Sequence, residues 1–152
     1  MDARSPQDSH DSWMETGAWN RHLGLHLTEV SGERVVGEWQ VDARHHQPYG
    51  IVHGGVHCSV IETVCSIGAA MSVFGEGLSV VGLENHTSFV RATRDGRLSV
   101  IATPITRGRR SQLWEAVIRN ESNQVVATGR VRLLCLTPGS ELAGREVKVD
   151  AG

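Results

Sequence analysis

Glu62 has the clearest potential for chemistry in this sequence, because it stands in the middle of a long, mostly apolar stretch. A carboxylate in apolar surroundings is unstable unless it is paired, hydrogen-bonded or protonated. Ser59 and Ser66, three positions before and four after it, would share its face of a helix. The pattern indicates a general base or nucleophile, with Ser66 holding substrate or water. A glutamate paired with a base of a neighbouring subunit, or satisfied by a helix amide, fits the same pattern.

Two adjacent glycines, Gly54 and Gly55, mark the beginning of the same stretch. Each disfavours a helix by about 1 kcal/mol relative to alanine, but it allows another group to come close to the backbone. The first N–H groups of a helix lack an intrahelical acceptor and lie at the positive end of its dipole. A helix that begins here could stabilise an oxyanion. The alternative is that the glycines only make room for a packed strand.

Histidines surround this helix start. His53 and His57 have the i, i+4 spacing that can bind a metal, and His45 and His46 lie shortly before them. No carboxylate or third histidine completes a recognised spacing. We therefore predict no metal site and expect His53 to have a structural or orienting role.

Three arginines, Arg107, Arg109 and Arg110, crowd one predicted turn. The planar guanidinium suits anionic oxygens, so the cluster could bind the phosphates of coenzyme A. A solvated hairpin turn is an equal alternative. Because the cluster is small and lacks interleaved aromatic residues, we do not expect it to bind nucleic acid.

The hydrophobic pattern predicts the elements that position these residues. Residues 53–74 are apolar on nearly every side and are followed by Gly75 and Gly77, which predicts one long, enclosed helix. A short helix is expected at 13–22. Alternating patterns and turn signals such as Asp95-Gly96 predict six strands, at 25–31, 33–42, 78–94, 97–106, 112–120 and 124–136. Strands joined by tight turns are antiparallel neighbours, so we predict an α+β fold in which the long helix covers one antiparallel sheet.

Composition sets the wider expectations. The chain has 152 residues, 39% of them hydrophobic, which suffices for one core, and its net charge of -2 gives no reason to expect nucleic acid or a membrane as partner. The N-terminus is polar and acidic, and no apolar run is expected to span a membrane, so we expect a cytoplasmic protein. The three cysteines lie in apolar segments without a thiolate-stabilising neighbour and are expected to be reduced core residues.

A longer motif resembles that of a known family. Residues 47–62 read Gln-Pro-Tyr-Gly-Ile-Val-His-Gly-Gly-Val-His-Cys-Ser-Val-Ile-Glu, and residues 85–89 read Asn-His-Thr-Ser-Phe, with Arg91 after them. These residues resemble the signature of hotdog-fold acyl-CoA thioesterases of the phenylacetate-pathway type, and within that family the 4-hydroxybenzoyl-CoA thioesterases of the Arthrobacter kind. We divide the chain accordingly into a flexible arm at 1–12, a hotdog domain at 13–137 and a mobile tail at 138–152.

The resemblance implies a role for each matching residue. Glu62 would be the catalytic carboxylate, as nucleophile or as base for water. The Gly54 amide would polarise the thioester carbonyl, with His53 beside it. Gln47 would position the reacting group, and Ser66 would hold water.

The resemblance also implies how the substrate is bound. Ser88, Arg91 and either Arg109 or Arg110 would contact the nucleotide of coenzyme A. The family's sites form between two subunits, so the Glu62 and Gly54 of one site would come from different chains of a homodimer, and dimers commonly pair into tetramers.

The implied function is hydrolysis of an aromatic or medium-chain acyl-CoA, with no cofactor besides the coenzyme A of the substrate. A hotdog enoyl-CoA hydratase or dehydratase is one alternative, although the loop before the helix lacks the histidine and acid expected for it. A non-catalytic acyl-CoA binding protein is the other, and it would tolerate loss of the Glu62 carboxylate. Trp39, Met71, Phe74 and Trp114 could line an acyl pocket or fill the core.

Overall fold

The computed structural model describes residues 17–147, and in them the predicted α+β fold is confirmed. Six antiparallel strands in the order β1-β2-β4-β5-β6-β3 form one sheet around a long helix. The strands are β1 (His26–Val30), β2 (Val35–Gln40), β3 (Ser79–Phe89), β4 (Arg97–Arg107), β5 (Ser111–Arg119) and β6 (Val125–Leu136).

The place of β3 differs from the prediction. Although only residues 90–96 separate it from β4, β3 pairs with β6, and β2 pairs with β4 instead. The connection forms hydrogen bonds with the segment that follows β2. The Gly96 carbonyl accepts from the Val41 N–H, and the Thr93 carbonyl accepts from the Val52 N–H. The predicted strand at 78–94 was therefore too long. β3 ends at Phe89, and residues 90–96 connect it to β4, which lies between β2 and β5 in the sheet.

Helix α2 (Gly54–Ser72) is the centre of the fold and agrees with the predicted helix to within two residues at each end. By length and composition alone it is apolar enough to cross a membrane, so the expectation that no run has this character is wrong. Its position explains its composition, since it contacts all six strands of the curved sheet. It packs tightly against β5 at Gly68, where a Cβ would overlap the ring of Trp114.

A short helix, which we label α1 (Ala18–Leu23), precedes the sheet; the earlier residues of the predicted helix at 13–22 lie outside the described part of the chain. Gly24 ends α1 with a left-handed φ of 70°. The Leu23 carbonyl accepts a hydrogen bond from His45 Nε2 at 2.8 Å, and Arg44 donates to the His22 carbonyl at 3.1 Å. The C-terminal end of α1 is thus attached to the loop that follows β2.

The two predicted terminal segments are described only in part. The arm at 1–12 lies outside the described residues. In the segment after 137, residues up to 147 are described, and they include a small hairpin of β7 (Glu141–Leu142) and β8 (Arg145–Glu146).

The strand β3 is an edge of the sheet, since β6 is its only neighbour among the described strands. Its register shifts between Gly82 and Glu84, which makes Leu83 a bulge residue. Leu83 and Phe89 are 57% and 60% exposed. A long edge strand with exposed apolar side chains is suited to pairing with another strand.

Candidate active site

The Glu62 carboxylate is held by β3. Its Oε2 accepts a hydrogen bond of 2.9 Å from the Asn85 side-chain amide, which also donates to the Cys58 carbonyl at 3.1 Å. Its Oε1 accepts a longer bond of 3.5 Å from the Ser66 hydroxyl. Oε1 also lies so close to Gly82 that a Cβ there would overlap it. The glycine therefore lets the carboxylate lie against the β3 backbone.

Glu62 borders a cavity of about 350 Å³. The other residues that line it are Trp19, Cys58, Ser59, Thr63 and Asn85. The ion pairs found in residues 17–147 all involve other carboxylates. Within the described chain Glu62 is therefore hydrogen-bonded but not neutralised by a base, and it faces a space that could hold a ligand.

The start of α2 presents a backbone donor. His53 caps the helix, since its Nδ1 accepts the Gly55 N–H at 2.8 Å. The Gly54 N–H has no hydrogen-bond acceptor among residues 17–147. The Phe89 ring lies against Gly54, so that a Cβ there would come within 2.6 Å of the ring. The absence of a side chain makes room for this ring, and the unbonded amide lies at the positive end of the helix dipole.

A second cavity, of about 380 Å³, adjoins this donor. It is lined by Gln47, Ile51, Val52, His53, Gly54, His57, Phe89, Val90, Arg91 and Ala92. A tight turn brings Gln47 here: its N–H donates to the Ile51 carbonyl at 2.9 Å, and Gly50 has a left-handed φ of 70°. Arg94 secures the turn by donating to the carbonyls of Tyr49 and Gly50.

His57 is a buried polar residue in the wall of this second cavity. It is 4% exposed, and its Nδ1 has no hydrogen-bond partner in the described chain. Desolvation lowers the pKa of His57 from 6.5 to about 4. The ring is therefore neutral at pH 7 and adds no charge to the cavity.

The two cavities have no residue in common. Glu62 follows Gly54 by eight positions on α2, which places the two residues about 12 Å apart along the helix axis. One chain thus presents the carboxylate and the backbone donor to separate spaces.

The predicted nucleotide contacts are also separated. Arg91 lines the cavity of Gly54, and Ser88 is exposed on the nearby end of β3. Arg109 borders another cavity at the C-terminal end of α2, and Arg110 is next to it. Since that end is about 27 Å from Gly54, one chain does not bring these arginines to Arg91.

The other candidate histidines and the most buried cysteine take part in packing. His45 bonds the Leu23 carbonyl, and His46 Nε2 lies 2.7 Å from the Arg94 carbonyl. Among residues 17–147, no three His, Cys, Asp or Glu side chains are grouped as a metal site. Burial raises the pKa of the Cys65 thiol, with smaller contributions from nearby carboxylates, so this residue is not a thiolate at neutral pH.

Two residues beside Glu62 were not predicted to be there. Asn85 belongs to the Asn-His-Thr-Ser-Phe run, but its contact joins side chains 23 positions apart, which local patterns cannot show. Trp19 lies on α1, a helix for which the sequence suggested no function.

The four residues considered for an acyl pocket lie elsewhere. Trp39 and Trp114 are in the core, and Met71 packs partly buried against it. Phe74 is 56% exposed just after α2. None of them lines either of the two cavities.

Comparisons with known proteins agree on one family. The family model described as "Thioesterase superfamily" matches residues 49–127. The chain is 41% identical over 120 residues to Rv1847 of Mycobacterium tuberculosis, covering 78% of this chain and 86% of that protein. It is 34% identical over 115 residues to the proofreading thioesterase EntH of Cronobacter turicensis, covering 76% and 83%.

Solved structures give the same result. The chain superposes on thioesterase HI1161 of Haemophilus influenzae with a TM-score of 0.76 at 29% identity, covering 90% of this chain and 93% of that one. AziG of S. sahachiroi gives a TM-score of 0.77 at 40% identity, covering 80% and 98%.

Proposed function

The chain belongs to the thioesterase superfamily and has the hotdog fold, and we propose that it hydrolyses an aromatic or medium-chain acyl-CoA to the free acid and coenzyme A. Thioester hydrolysis follows from the family, whose members similar to this chain include named thioesterases. The proposal for the site depends on one observation: Glu62 is hydrogen-bonded, has no basic partner in the described chain and borders a cavity. The sequence motif makes 4-hydroxybenzoyl-CoA the first substrate to test.

Thioester hydrolysis requires a polarised carbonyl and an attacking oxygen. In our proposal the Gly54 N–H donates to the carbonyl oxygen and to the oxyanion that forms from it. If Glu62 acts as a base, it takes a proton from water, the water oxygen attacks the carbonyl carbon, and the C–S bond breaks to release coenzyme A. If Glu62 acts as a nucleophile, it displaces coenzyme A to form a mixed anhydride, which water then hydrolyses.

Three polar residues support this chemistry. The Ser66 hydroxyl, 3.5 Å from Glu62 Oε1, is suited to hold the water. Gln47 lines the cavity of Gly54 and is suited to position the thioester. His53 acts through the backbone, since its bond to Gly55 N–H caps the helix and leaves the preceding amide for the substrate.

We propose that a complete site forms between two copies of the chain. Both cavities reach β3, the first at Asn85 and the second at Phe89 and beyond. Antiparallel pairing of two β3 strands about a two-fold axis would bring the Gly54 cavity of one chain to the Glu62 cavity of the other. This arrangement would also cover the exposed edge of the sheet, and such dimers can pair into tetramers.

The nucleotide would be bound at the rim of the Gly54 cavity, where Arg91 supplies positive charge and Ser88 a hydroxyl. Arg109 and Arg110 could contribute only from another subunit, because of their distance from Arg91 within one chain.

The test is a panel of acyl-CoAs of varied length and aromaticity, followed by release of free thiol. We expect wild-type protein to cleave some of them and Glu62→Gln to lose about 100- to 10,000-fold in kcat while still binding acyl-CoA. Glu121→Gln, an exposed carboxylate in the turn between β5 and β6, is the matched control and should keep its activity. Absence of hydrolysis across the panel, with hydration of enoyl-CoA instead, would contradict the proposal.

A further inference from the structure

Trp19 is an exposed aromatic residue beside the carboxylate. Its side chain lines the same cavity as Glu62, although Trp19 lies on α1 and Glu62 on α2. It is 56% exposed within the chain. An indole ring that is left this accessible has a large apolar face available for contact with another molecule.

Trp19 is held in a defined place. The Thr63 hydroxyl donates a hydrogen bond of 3.1 Å to the side-chain oxygen of Asn20, the residue after Trp19. Thr63 itself lies one position after Glu62. The Trp19 ring also stacks with the His22 ring, with centroids 5.6 Å apart and planes 19° apart. Leu23 at the end of α1 is buried in the core. Helix α1, which carries Trp19, is therefore held beside the part of α2 that carries the carboxylate.

We infer that the Trp19 indole forms a wall of the acyl site and selects flat aromatic acyl groups over straight aliphatic chains. This inference rests on the proposed function, because it requires the acyl group to occupy the cavity of Glu62. The other residues that line this cavity are small or polar, namely Cys58, Ser59, Thr63 and Asn85. Trp19 is thus the one large apolar surface among its described lining residues.

The geometry favours a planar group. An aromatic acyl group can stack on the indole face with full contact and favourable quadrupole alignment, whereas a flexible alkyl chain contacts less of it and loses rotational freedom. The energy of such aromatic pairs corresponds to about a 3- to 10-fold preference in kcat/KM. Trp19 is therefore a specificity-determining residue and takes no part in the proton transfers.

The test compares kcat/KM for benzoyl-CoA and hexanoyl-CoA in Trp19→Leu and Trp19→Phe. Leucine keeps an apolar side chain without the ring, and phenylalanine keeps a ring. We expect Trp19→Leu to lower the benzoyl-to-hexanoyl ratio by about 3- to 10-fold and Trp19→Phe to keep most of it. Phe74→Leu is the matched control, since Phe74 is also 56% exposed but lies outside the cavity.

The outcomes separate this inference from the function on which it rests. The role of Trp19 is overturned if Trp19→Leu leaves the benzoyl-to-hexanoyl ratio unchanged, or if Phe74→Leu lowers it as much. Hydrolysis by the wild type would still support the proposed function in that case. If the wild type cleaves neither compound nor any other acyl-CoA, the proposed function fails and the inference fails with it. Because Trp19 is largely exposed, the variants should fold, which equal melting temperatures would verify.

Discussion

The Asn85 amide donates a hydrogen bond of 2.9 Å to the Glu62 carboxylate and thereby joins the edge strand β3 to the middle of α2. The orientation of this amide is itself set, because the Thr87 hydroxyl donates to Asn85 Oδ1 at 2.6 Å. The amide nitrogen must then face α2, where it also reaches the Cys58 carbonyl. Asn85 is thus a positioning residue that leaves the second carboxylate oxygen for Ser66 and for a reactant.

Replacing Asn85 should reduce turnover more than binding. A hydrogen bond to a charged group contributes about 1.5–3 kcal/mol, so we expect Asn85→Ala to lower kcat about 10- to 100-fold with little change in KM. Asn85→Asp would place a second carboxylate beside Glu62 and should move the acid limb of the pH–rate profile to higher pH. An increase in KM alone, with kcat and the pH profile unchanged, would rule out the positioning role.

The proposed two-chain site can be tested by mixing subunits. We expect Glu62→Gln and Gln47→Ala homodimers to be nearly inactive. If they are unfolded together and refolded in equal amounts, each mixed dimer should contain one intact site, and about a quarter of wild-type activity should return. A site contained within one chain would remain inactive after mixing. Wild-type protein taken through the same procedure controls for losses in refolding.

Gly54 should not tolerate a side chain. The Cβ of Gly54→Ala would lie 2.6 Å from the Phe89 ring, so the helix start or the ring must shift. We expect a loss of about 1–3 kcal/mol in the free energy of unfolding and about 100-fold in kcat. The double variant with Phe89→Leu should recover stability, and Phe89→Leu alone is the control. Full activity and unchanged stability in Gly54→Ala would show that the helix start accommodates a side chain and would contradict this prediction.

His57 should make the protein less stable in mild acid. Because its folded pKa of about 4 is below the 6.5 of the unfolded chain, the unfolded state binds the proton first as the pH falls. The contribution of His57 to the free energy of unfolding is therefore complete above pH 6.5, decreases as the pH falls towards 4 and changes no further below pH 4. Its upper limit is about 3 kcal/mol. Urea unfolding at pH 7 and pH 4.5 should show a smaller pH effect in His57→Leu than in wild type. The exposed His26→Leu serves as control, and an equal pH effect in all three proteins would refute the prediction.

The route taken by Glu62 can be read from oxygen isotopes. In a single turnover in ¹⁸O water, a general base directs the label into the released acid. A nucleophilic carboxylate forms an anhydride, and if water attacks its glutamyl carbon, the label appears in Glu62 and can be found in its peptide by mass spectrometry. Label in the acid alone would exclude attack of water on the glutamyl carbon of an anhydride.

The local features of this protein could be predicted from its sequence. The enclosed helix and six strands follow from the spacing of apolar residues, and the start of α2 follows from His53 and the glycines after it. Glu62 is recognisable because it interrupts an apolar run. Each of these signals depends on residues within one element, where periodicity and capping act directly.

Only the tertiary structure decided the strand order and the surroundings of Glu62, because these features depend on contacts between distant parts of the chain. It placed β3 at the edge of the sheet beside β6, although β4 follows it in sequence. It brought Asn85 and Trp19 to Glu62, and it assigned Gly54 and Glu62 to separate cavities. Side-chain directions and strand order fix these relations, and no pattern within a single element contains them.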